Sequence, residues 1–455
     1  MTTAPQLPLD FITRIEAQFP NEAPKFIDAL QNDVRTSIRL NPKKNNPNDS
    51  HEKIEWCEQA FFLNQRPNFA FDPLWHAGAY YVQEASSMFL AQAFKMVQTE
   101  NPQLVLDLCA APGGKSTHLN SLIKADDLLV SNELIRSRVP ILHENLSKWG
   151  YPNHIISSND PKQFGELGAL FDVVLIDAPC SGEGLFRRDA KAANEWSVEN
   201  TKLCTLRQQR IFADSLACLK TGGYLIYSTC TFNPTENEEN LKWLAEQYDF
   251  ESVRIPLDAN WGVDEIEHHG MYGYRFLPHR VSGEGFFISL LRKRNHEPEV
   301  RFPKKMRSIF QTTKNYPTDW LTSYDDKIIF QHKEQIKFAP KMWEKEISYL
   351  QQKLNLVKIG NLMASEKKNS FSPEAELAFS TELNAEAFTR LELTLPNALQ
   401  FLARENFEWN SNSKDWELIC FENIPLGFIK GIGNRYNNYY PKEWRLRTLG
   451  KSYEL

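Results

Sequence analysis

The 455-residue chain contains no run near the ~18 consecutive apolar residues that a membrane-spanning helix requires. Its first ten residues carry no cation and no apolar block, so a secretory leader is not expected. Seven cysteines (Cys57, Cys109, Cys180, Cys204, Cys218, Cys230, Cys420) are spread thinly, and none forms a C-x-x-C pair. That excludes a zinc ribbon or dithiol motif and fits a reducing cytoplasm. Counts of 20 Gly and 25 Pro exclude collagen-like or low-complexity character. His268, His269 and His279 have no further ligands at metal spacing, so they are expected at the surface and no metal is expected. What is present is 42% hydrophobic and 24% charged residues, enough for two to four domains at about 150 residues each.

The net charge of −6 offers no overall attraction for a polyanion. Charge is nevertheless segregated: residues 231–270 hold ten acids and two bases, and residues 275–310 hold nine bases and three acids. The last 26 residues add six bases against two acids. Local basic faces able to hold a polyanion are therefore expected.

Residues 1–95 open with Leu9, Ile12, Ile15 and Phe19 at helical spacing, then a strand-like stretch (Arg35–Lys44) and a polar loop (Asn45–Ser50). From about 100, short apolar strands alternate with helical stretches: Leu104–Leu108, Leu128–Asn132, His154–Ser157, Phe171–Ile176 and Tyr224–Ser228. Such alternation predicts a parallel sheet with helices on both faces. A late strand, Gly285–Leu291, is expected to pair with Tyr274–Leu277. A linker over Asn295–Lys305, a small mixed segment at 306–370 and a last unit at 371–455 complete the chain, the break falling at Glu366–Ser370.

The first strand runs into Asp107-Leu-Cys-Ala-Ala-Pro-Gly-Gly-Lys-Ser-Thr117, a glycine-rich turn before a helix, where backbone approaches a ligand closely. Gly114-Lys115-Ser116 looks like the end of a phosphate-binding loop, and Val173–Asp177 like its acidic strand. That loop, however, needs glycine where Cys109 stands, and Pro112 removes an N–H. The alternative is S-adenosylmethionine, which has ribose hydroxyls and no phosphates. Glu133 and Asp160 follow the second and third strands, placed for ribose and adenine, and Asp177 ends the fourth. A single acid at a strand end is usually a helix cap; three on one edge point to a ligand.

The fourth strand ends in Asp177-Ala-Pro-Cys180-Ser-Gly-Glu-Gly and the fifth in Tyr227-Ser-Thr-Cys230-Thr-Phe-Asn-Pro. Cys204 and Cys218, on one face of a predicted helix, and the lone Cys57 and Cys420 are read as core. Cys180 and Cys230 differ because each ends a strand in a loop beside the presumed cofactor. A thiolate beside a methyl donor has a use: adding to carbon 6 of a pyrimidine makes carbon 5 nucleophilic. Asp177 is the nearest group to stabilise ring nitrogen 3, and a second cysteine would assist release.

The segments D-L-C-A-A-P-G-G-K-S, D-A-P-C-S-G-E-G and Y-S-T-C-T-F-N-P-T-E-N-E resemble, in order and spacing, the motifs of the RNA cytosine-5 methyltransferase family (Sun/NSUN type). The resemblance implies a Rossmann-like class I methyltransferase sheet over 96–295, with Cys230 as nucleophile and Cys180 needed for enzyme release. It implies that Cys109, Ala110, Ala111, Pro112, Gly113, Gly114, Lys115, Glu133, Asp160 and Asp177 contact S-adenosylmethionine. Asn132–Arg138 looks like the second cofactor strand, and Arg275–Arg280 with Gly283–Phe287 like the closing hairpin. Arg35–Pro42 and Gln83–Met88 are similar to the family's N-terminal α/β RNA-contacting extension. Gly427–Arg447 resembles the PUA-like small β-barrel of the bacterial subfamily acting on small-subunit ribosomal RNA. That implies 16S ribosomal RNA, or the small ribosomal subunit, as partner, with transfer RNA as the alternative. Lys430, Arg435, Lys442, Arg445 and Arg447 would meet phosphates. Tyr436, Tyr439, Tyr440 and Trp444 would stack on bases, although at least half are expected in the barrel core. A cytoplasmic monomer is expected. A nucleotide triphosphatase and a non-catalytic RNA-binding protein are the rival readings.

Overall fold

The structure, a computed structural model, describes residues 6–44, 51–298, 300–303, 306–367, 370–409 and 413–447. The polar loop expected at 45–50, the cations Lys304 and Lys305, and 368–369 of the polar break lie outside these residues.

Five parallel strands, Leu104–Asp107, Leu128–Asn132, His154–Ser157, Phe171–Asp177 and Leu219–Thr229, form the centre of a ten-stranded sheet. Their spatial order is third, second, first, fourth, fifth. The chain therefore winds outward, returns and winds the other way, so the carboxyl ends of the first and fourth strands flank a topological switch point. The strands read as nearly continuous apolar runs because both faces are covered. Leu104 and Leu106 pack on one side with Val130, Val174 and Ile176; Val105 packs on the other with Leu129, Val173 and Leu175.

The expected antiparallel hairpin is present, with Tyr274 opposite Ile288 and Phe276 opposite Phe286. Phe286–Lys293 in turn pairs with the fifth strand. That fifth strand begins at Leu219 rather than Tyr224. Its Gly222-Gly223, a turn signal, is absorbed where the register against Phe171–Asp177 shifts.

The outer edge holds a strand the sequence pattern does not announce. Leu356–Ile359 pairs antiparallel with His154–Ser157 and covers the edge of the main sheet. Its neighbours in the chain do something else. Lys327–His332, Gln335–Pro340, Asn361–Lys367 and Ser370–Pro373 make a separate four-stranded sheet, whose last strand starts at 370. A further four-stranded sheet comprises Thr389–Glu392, Trp416–Phe421, Ile424–Gly431 and Tyr436–Asn438. At the N-terminal end, two helices (Leu9–Gln18, Ala23–Ala29) precede a four-stranded antiparallel sheet. In the first helix Phe11 and Ile15 are buried while Leu9 is exposed, so the apolar stripe is rotated from the expected one. Cys204 and Cys218 are both buried, but the helix ends at Ser215 and Cys218 lies in the following 3-10 turn. Cys57 and Cys420 are buried as well.

Pairing between the two charge runs takes up Arg275 and Arg280 of the expected basic face, while Arg292, Arg294, Arg301 and Arg307 are exposed. Arg275 bonds Glu238 at 2.6 Å and pairs with Asp264 at 3.5 Å; Arg280 reaches Asp264 at 3.1 Å and Glu22 at 2.6 Å. Lys293 is buried, donating to the carbonyls of Leu216 and Leu219 and to Glu297. His279, expected at the surface, has its side chain largely covered, 2.5 Å from Glu22. Glu238 and Asp264 of the acidic run thus neutralise Arg275 and Arg280 of the basic one. Among the described residues, no group of His, Cys, Asp and Glu is arranged to hold a metal, and no helix is long and apolar enough to cross a membrane.

The edge strand is fastened by a buried ion pair. Lys358 on that strand donates to Glu376, which also accepts from the Leu362 N–H at 2.9 Å and from Ser147 on the main domain's helix at 3.3 Å. Burial alone would raise the Glu376 carboxyl; Lys358 and His143 instead hold it down at about 2. Removing one partner strands the other charge, so Glu376→Ala is expected to destabilise the protein by about 3–5 kcal/mol, read as a lower denaturation midpoint. The same group makes a pH prediction. A carboxyl depressed in the folded state stabilises fully above its ordinary 4.5, and that stability is lost as pH falls toward about 2. Glu376→Ala should flatten the acid-denaturation curve over that interval.

Candidate active site

The cofactor loop is built by the first strand. After Asp107 the chain crosses Leu108–Gly113 and enters the helix Gly114–Leu122, whose N-terminus has no side-chain cap. Gly113 adopts φ 114°, and a Cβ there would lie 3.3 Å from the Leu142 side chain, so glycine is required. The loop is pinned from the second strand and its helix. Ala110 N–H donates to the Asn132 carbonyl at 2.8 Å, Asn145 to the Pro112 carbonyl at 2.8 Å, and Arg138 to the Ala111 carbonyl. Asn132 is a hub: its amide donates to the carbonyls of Leu108 and Asn159, and its oxygen accepts from Ser157 Oγ and the Asn159 N–H. It ties the ends of three strands together, a role that its place in the motif gives no hint of.

The three acids lie on the carboxyl edge in different settings. Glu133 is buried, accepting from the Ile135 N–H at 2.7 Å and lying 3.4 Å from Arg138. Asp160 caps the helix Pro161–Gly165 through a capping box with Gln163, the plain role weighed against it. Asp177 accepts from Ser228 Oγ at 2.8 Å and pairs with Lys115 Nζ at 2.9 Å. Against the burial that would lower it, Asp177 holds the Lys115 ammonium above its ordinary range. Beneath the loop, Asp107 is fully buried; one oxygen accepts from Ser116 Oγ at 2.6 Å and the other has no partner. Burial pushes its carboxyl up to about 7. Burial likewise pushes the half-buried Cys109 thiol upward.

A carboxylate-rich edge with one orphaned buried oxygen, beside a loop in which Pro112 offers no N–H, fits a cationic sulfonium nucleoside better than a triphosphate. S-adenosylmethionine should therefore raise the melting temperature where ATP does not. At a hundredfold excess over Kd the gain is about 2.7 kcal/mol.

The two thiols meet. Cys180 Sγ and Cys230 Sγ are 3.2 Å apart, each part-exposed, above adjacent strands. The hydrogen bond to Cys230, with burial second, pushes the Cys180 thiol well above its ordinary value. The two sulfurs share one hydrogen bond, in which either can be the donor. The loops are locked by Gly184 N–H to the Cys230 carbonyl at 2.9 Å and by two acids within the motifs. Glu236 bonds Ser181 and Thr231. Glu183 accepts from Trp196, the Phe232 N–H and Arg14 of the N-terminal helix. Phe11, Phe26, Phe186, Trp196 and Phe232 share one cluster, so the N-terminal helices form part of the site's wall.

Other implied contacts are placed differently. Arg39 and Gln83, in segments whose resemblance implies RNA contact, are buried and bonded to each other at 2.9 Å. Arg39 also reaches Thr117 on the cofactor helix at 2.7 Å. Near the C-terminus, Tyr440 is buried, Tyr436 packs on Phe407, and Trp444 lies between Phe379 and His143. Of the four aromatics only Tyr439 is exposed, beside a cleft of about 440 Å³ lined by Arg404, Asn437 and Lys442. Lys430 lies over the Trp416 ring at 4.9 Å.

Strand order, the glycine-rich loop and the acids at the switch point define an S-adenosylmethionine-dependent methyltransferase. Residues 94–292 match the family model "16S rRNA methyltransferase RsmB/F", residues 7–85 the N-terminal domain of 16S rRNA methyltransferase RsmF, and 388–446 the methyltransferase RsmF PUA domain. Ribosomal RNA small subunit methyltransferase F of Escherichia fergusonii is 31% identical, and that of Salmonella agona 30%, each over 95% of both chains. The chain belongs to the ribosomal RNA small subunit methyltransferase F family, enzymes that methylate RNA. A methyltransferase homologue from Pyrococcus horikoshii, 28% identical, superposes with a TM-score of 0.53 over 62% of this chain and 94% of its own. NSun6 of the same organism, solved with SFG, shares the fold at 19% identity, with a TM-score of 0.55 over 65% of this chain and 100% of its own.

Proposed function

We propose that the protein methylates carbon 5 of a cytosine in 16S ribosomal RNA through a covalent bond from Cys230 to carbon 6. The observation that carries this is the pair of thiols 3.2 Å apart at adjacent strand ends, beside Lys115 and Asp177. The Cys230 sulfur, its proton given up to a base, attacks carbon 6 of an unstacked cytosine and forms the S–C bond as the carbon 5–carbon 6 π pair is displaced into the ring. A proton held in the Asp177–Lys115 pair passes to ring nitrogen 3 as negative charge develops there, and the tie to Ser228 holds Asp177 in place. S-adenosylmethionine, when bound, supplies the methyl group to carbon 5. Loss of the carbon-5 proton to a base then restores the ring double bond as the S–C bond breaks, and Cys180 assists that release. Cys109–Lys115, Glu133, Asp160 and Asp177 are the residues assigned to the cofactor. The residues around Tyr439, Arg404 and Lys442 are assigned to RNA. The enzyme is read as a cytoplasmic monomer, in keeping with its unpaired thiols.

The test is incubation with tritiated S-adenosylmethionine and separated 16S, 23S and transfer RNA from a strain lacking the gene, followed by bisulfite mapping. One new 5-methylcytosine in 16S RNA is expected. Label in transfer RNA alone would overturn the substrate while keeping the chemistry.

A further inference from the structure

Glu236 lies six residues past Cys230 and is fully buried. Its Oε1 accepts from the Ser181 N–H at 2.8 Å and from Gln208 Nε2 at 3.3 Å. Its Oε2 accepts from Ser181 Oγ at 2.5 Å and from Thr231 Oγ1 at 3.4 Å. The two hydroxyls are themselves 2.9 Å apart. Ser181 follows Cys180 and Thr231 follows Cys230, so one carboxyl group grips the residue after each thiol. Gln208 extends the grip to the other side of Cys180, donating to the Pro179 carbonyl at 3.1 Å. The backbone of Glu236 is held in turn, its carbonyl accepting from Tyr227 OH and from Asn240 at 3.1 Å.

Every partner of this carboxyl group is a backbone N–H, a hydroxyl or an amide, never a cation. A buried carboxyl without a counter-charge is costly, and an apolar side chain in its place would serve the core better. Burial accordingly pushes the carboxyl up to about 7. The cost is offset by something local to the thiols, because both loops it joins end at a cysteine.

We propose that Glu236 is a positioning residue that sets the separation of Cys180 and Cys230 by tying Ser181 to Thr231. It touches neither sulfur. The proposal rests on the two-thiol reading above: nucleophile and release group must stay in register while the adduct forms and breaks. A displacement of about 1 Å at reacting groups costs on the order of a hundredfold in rate.

The test is steady-state methyl transfer by the full chain to total RNA from a strain lacking the gene, with Cys230→Ala run alongside. Glu236→Ala is expected to lower kcat by about tenfold or more, leaving KM for RNA and Kd for S-adenosylmethionine within about twofold. Glu236→Gln keeps an acceptor for the Ser181 N–H and a polar partner for its hydroxyl, and should stay within about threefold of the parent. Thr231→Val reads the same tie should Glu236→Ala not fold, with an expected loss of about threefold or more in kcat.

A folded Glu236→Ala within about twofold of the parent would overturn the proposal. So would a Glu236→Gln loss equal to that of Glu236→Ala, since charge rather than the frame would then matter. If Glu236→Ala does not fold, an unchanged Thr231→Val overturns it. Each of these results, with Cys230→Ala inactive, leaves the two-thiol reading standing. Activity in Cys230→Ala removes that reading, and the positioning role falls with it.

Discussion

Cys230→Ala is expected to abolish methyl transfer, a fall of about 10³-fold or more, or at least ~4 kcal/mol of transition-state stabilisation. Carbon 5 of cytosine is a poor nucleophile until a thiolate adds to carbon 6. Cys180 is no substitute, because its sulfur sits over the neighbouring strand, 3.2 Å from the position at which the Cys230 sulfur adds. The substitution removes one part-exposed sulfur and no core contact, so the fold should survive. The S-adenosylmethionine-induced rise in melting temperature should persist, separating lost chemistry from lost binding. Full activity in this variant would sink the nucleophile assignment.

Cys180→Ala should fail differently. Methyl transfer to carbon 5 does not consume Cys180, so the adduct still forms and the first methyl group still moves. What is lost is the group 3.2 Å from the Cys230 sulfur as the S–C bond breaks. The enzyme should then stay joined to RNA, seen as a slowly migrating, RNase-sensitive species on a denaturing gel. In the double variant with Cys230→Ala that species should vanish, because the bond that holds it is never made. A Cys180→Ala enzyme that turns over freely and leaves no such species would remove Cys180 from the release step.

Glu236 and the release group are linked in this account. A loosened frame should slow both formation and breakdown of the adduct, whereas loss of Cys180 should slow breakdown alone. The N-terminal helices belong to the same frame. Arg14 is bonded at 2.7 Å to Glu183, which holds the Phe232 N–H two residues past Cys230.

Much of the site was legible in one dimension. Parallel strands covered on both faces must be apolar throughout, so the five runs from Leu104 to Ser228 stood out between Gly, Pro, Asp and Asn. A thiol or acid at the end of such a run must lie on the carboxyl edge, which puts Cys180, Cys230, Glu133 and Asp177 on one side. Gly113 was legible for a similar reason: a turn that brings backbone to a ligand needs a residue without a Cβ. These are local constraints, written in spacing and residue type.

The tertiary structure decided the pairings between residues far apart in the chain, which no period encodes. The 3.2 Å approach of Cys180 and Cys230 depends on the register of two strands, and Glu236 and Glu183 acquire partners only once their loops are stacked. The strand Leu356–Ile359 joined the main sheet because an open edge needed covering, not because its own sequence differs from its neighbours'. Two opposite charge runs looked like separate faces, yet the fold brought Arg275 and Arg280 to Glu238 and Asp264, while Arg292, Arg294, Arg301 and Arg307 stayed exposed. Arg39, in a segment whose resemblance implies RNA contact, was buried by the packing of the N-terminal sheet on the cofactor helix. Sequence by itself determined which chemistry this chain carries, because residue types at strand ends are local. Only the fold determined which groups hold that chemistry in place, because contact energies fall off within a few ångströms and depend on who is brought near.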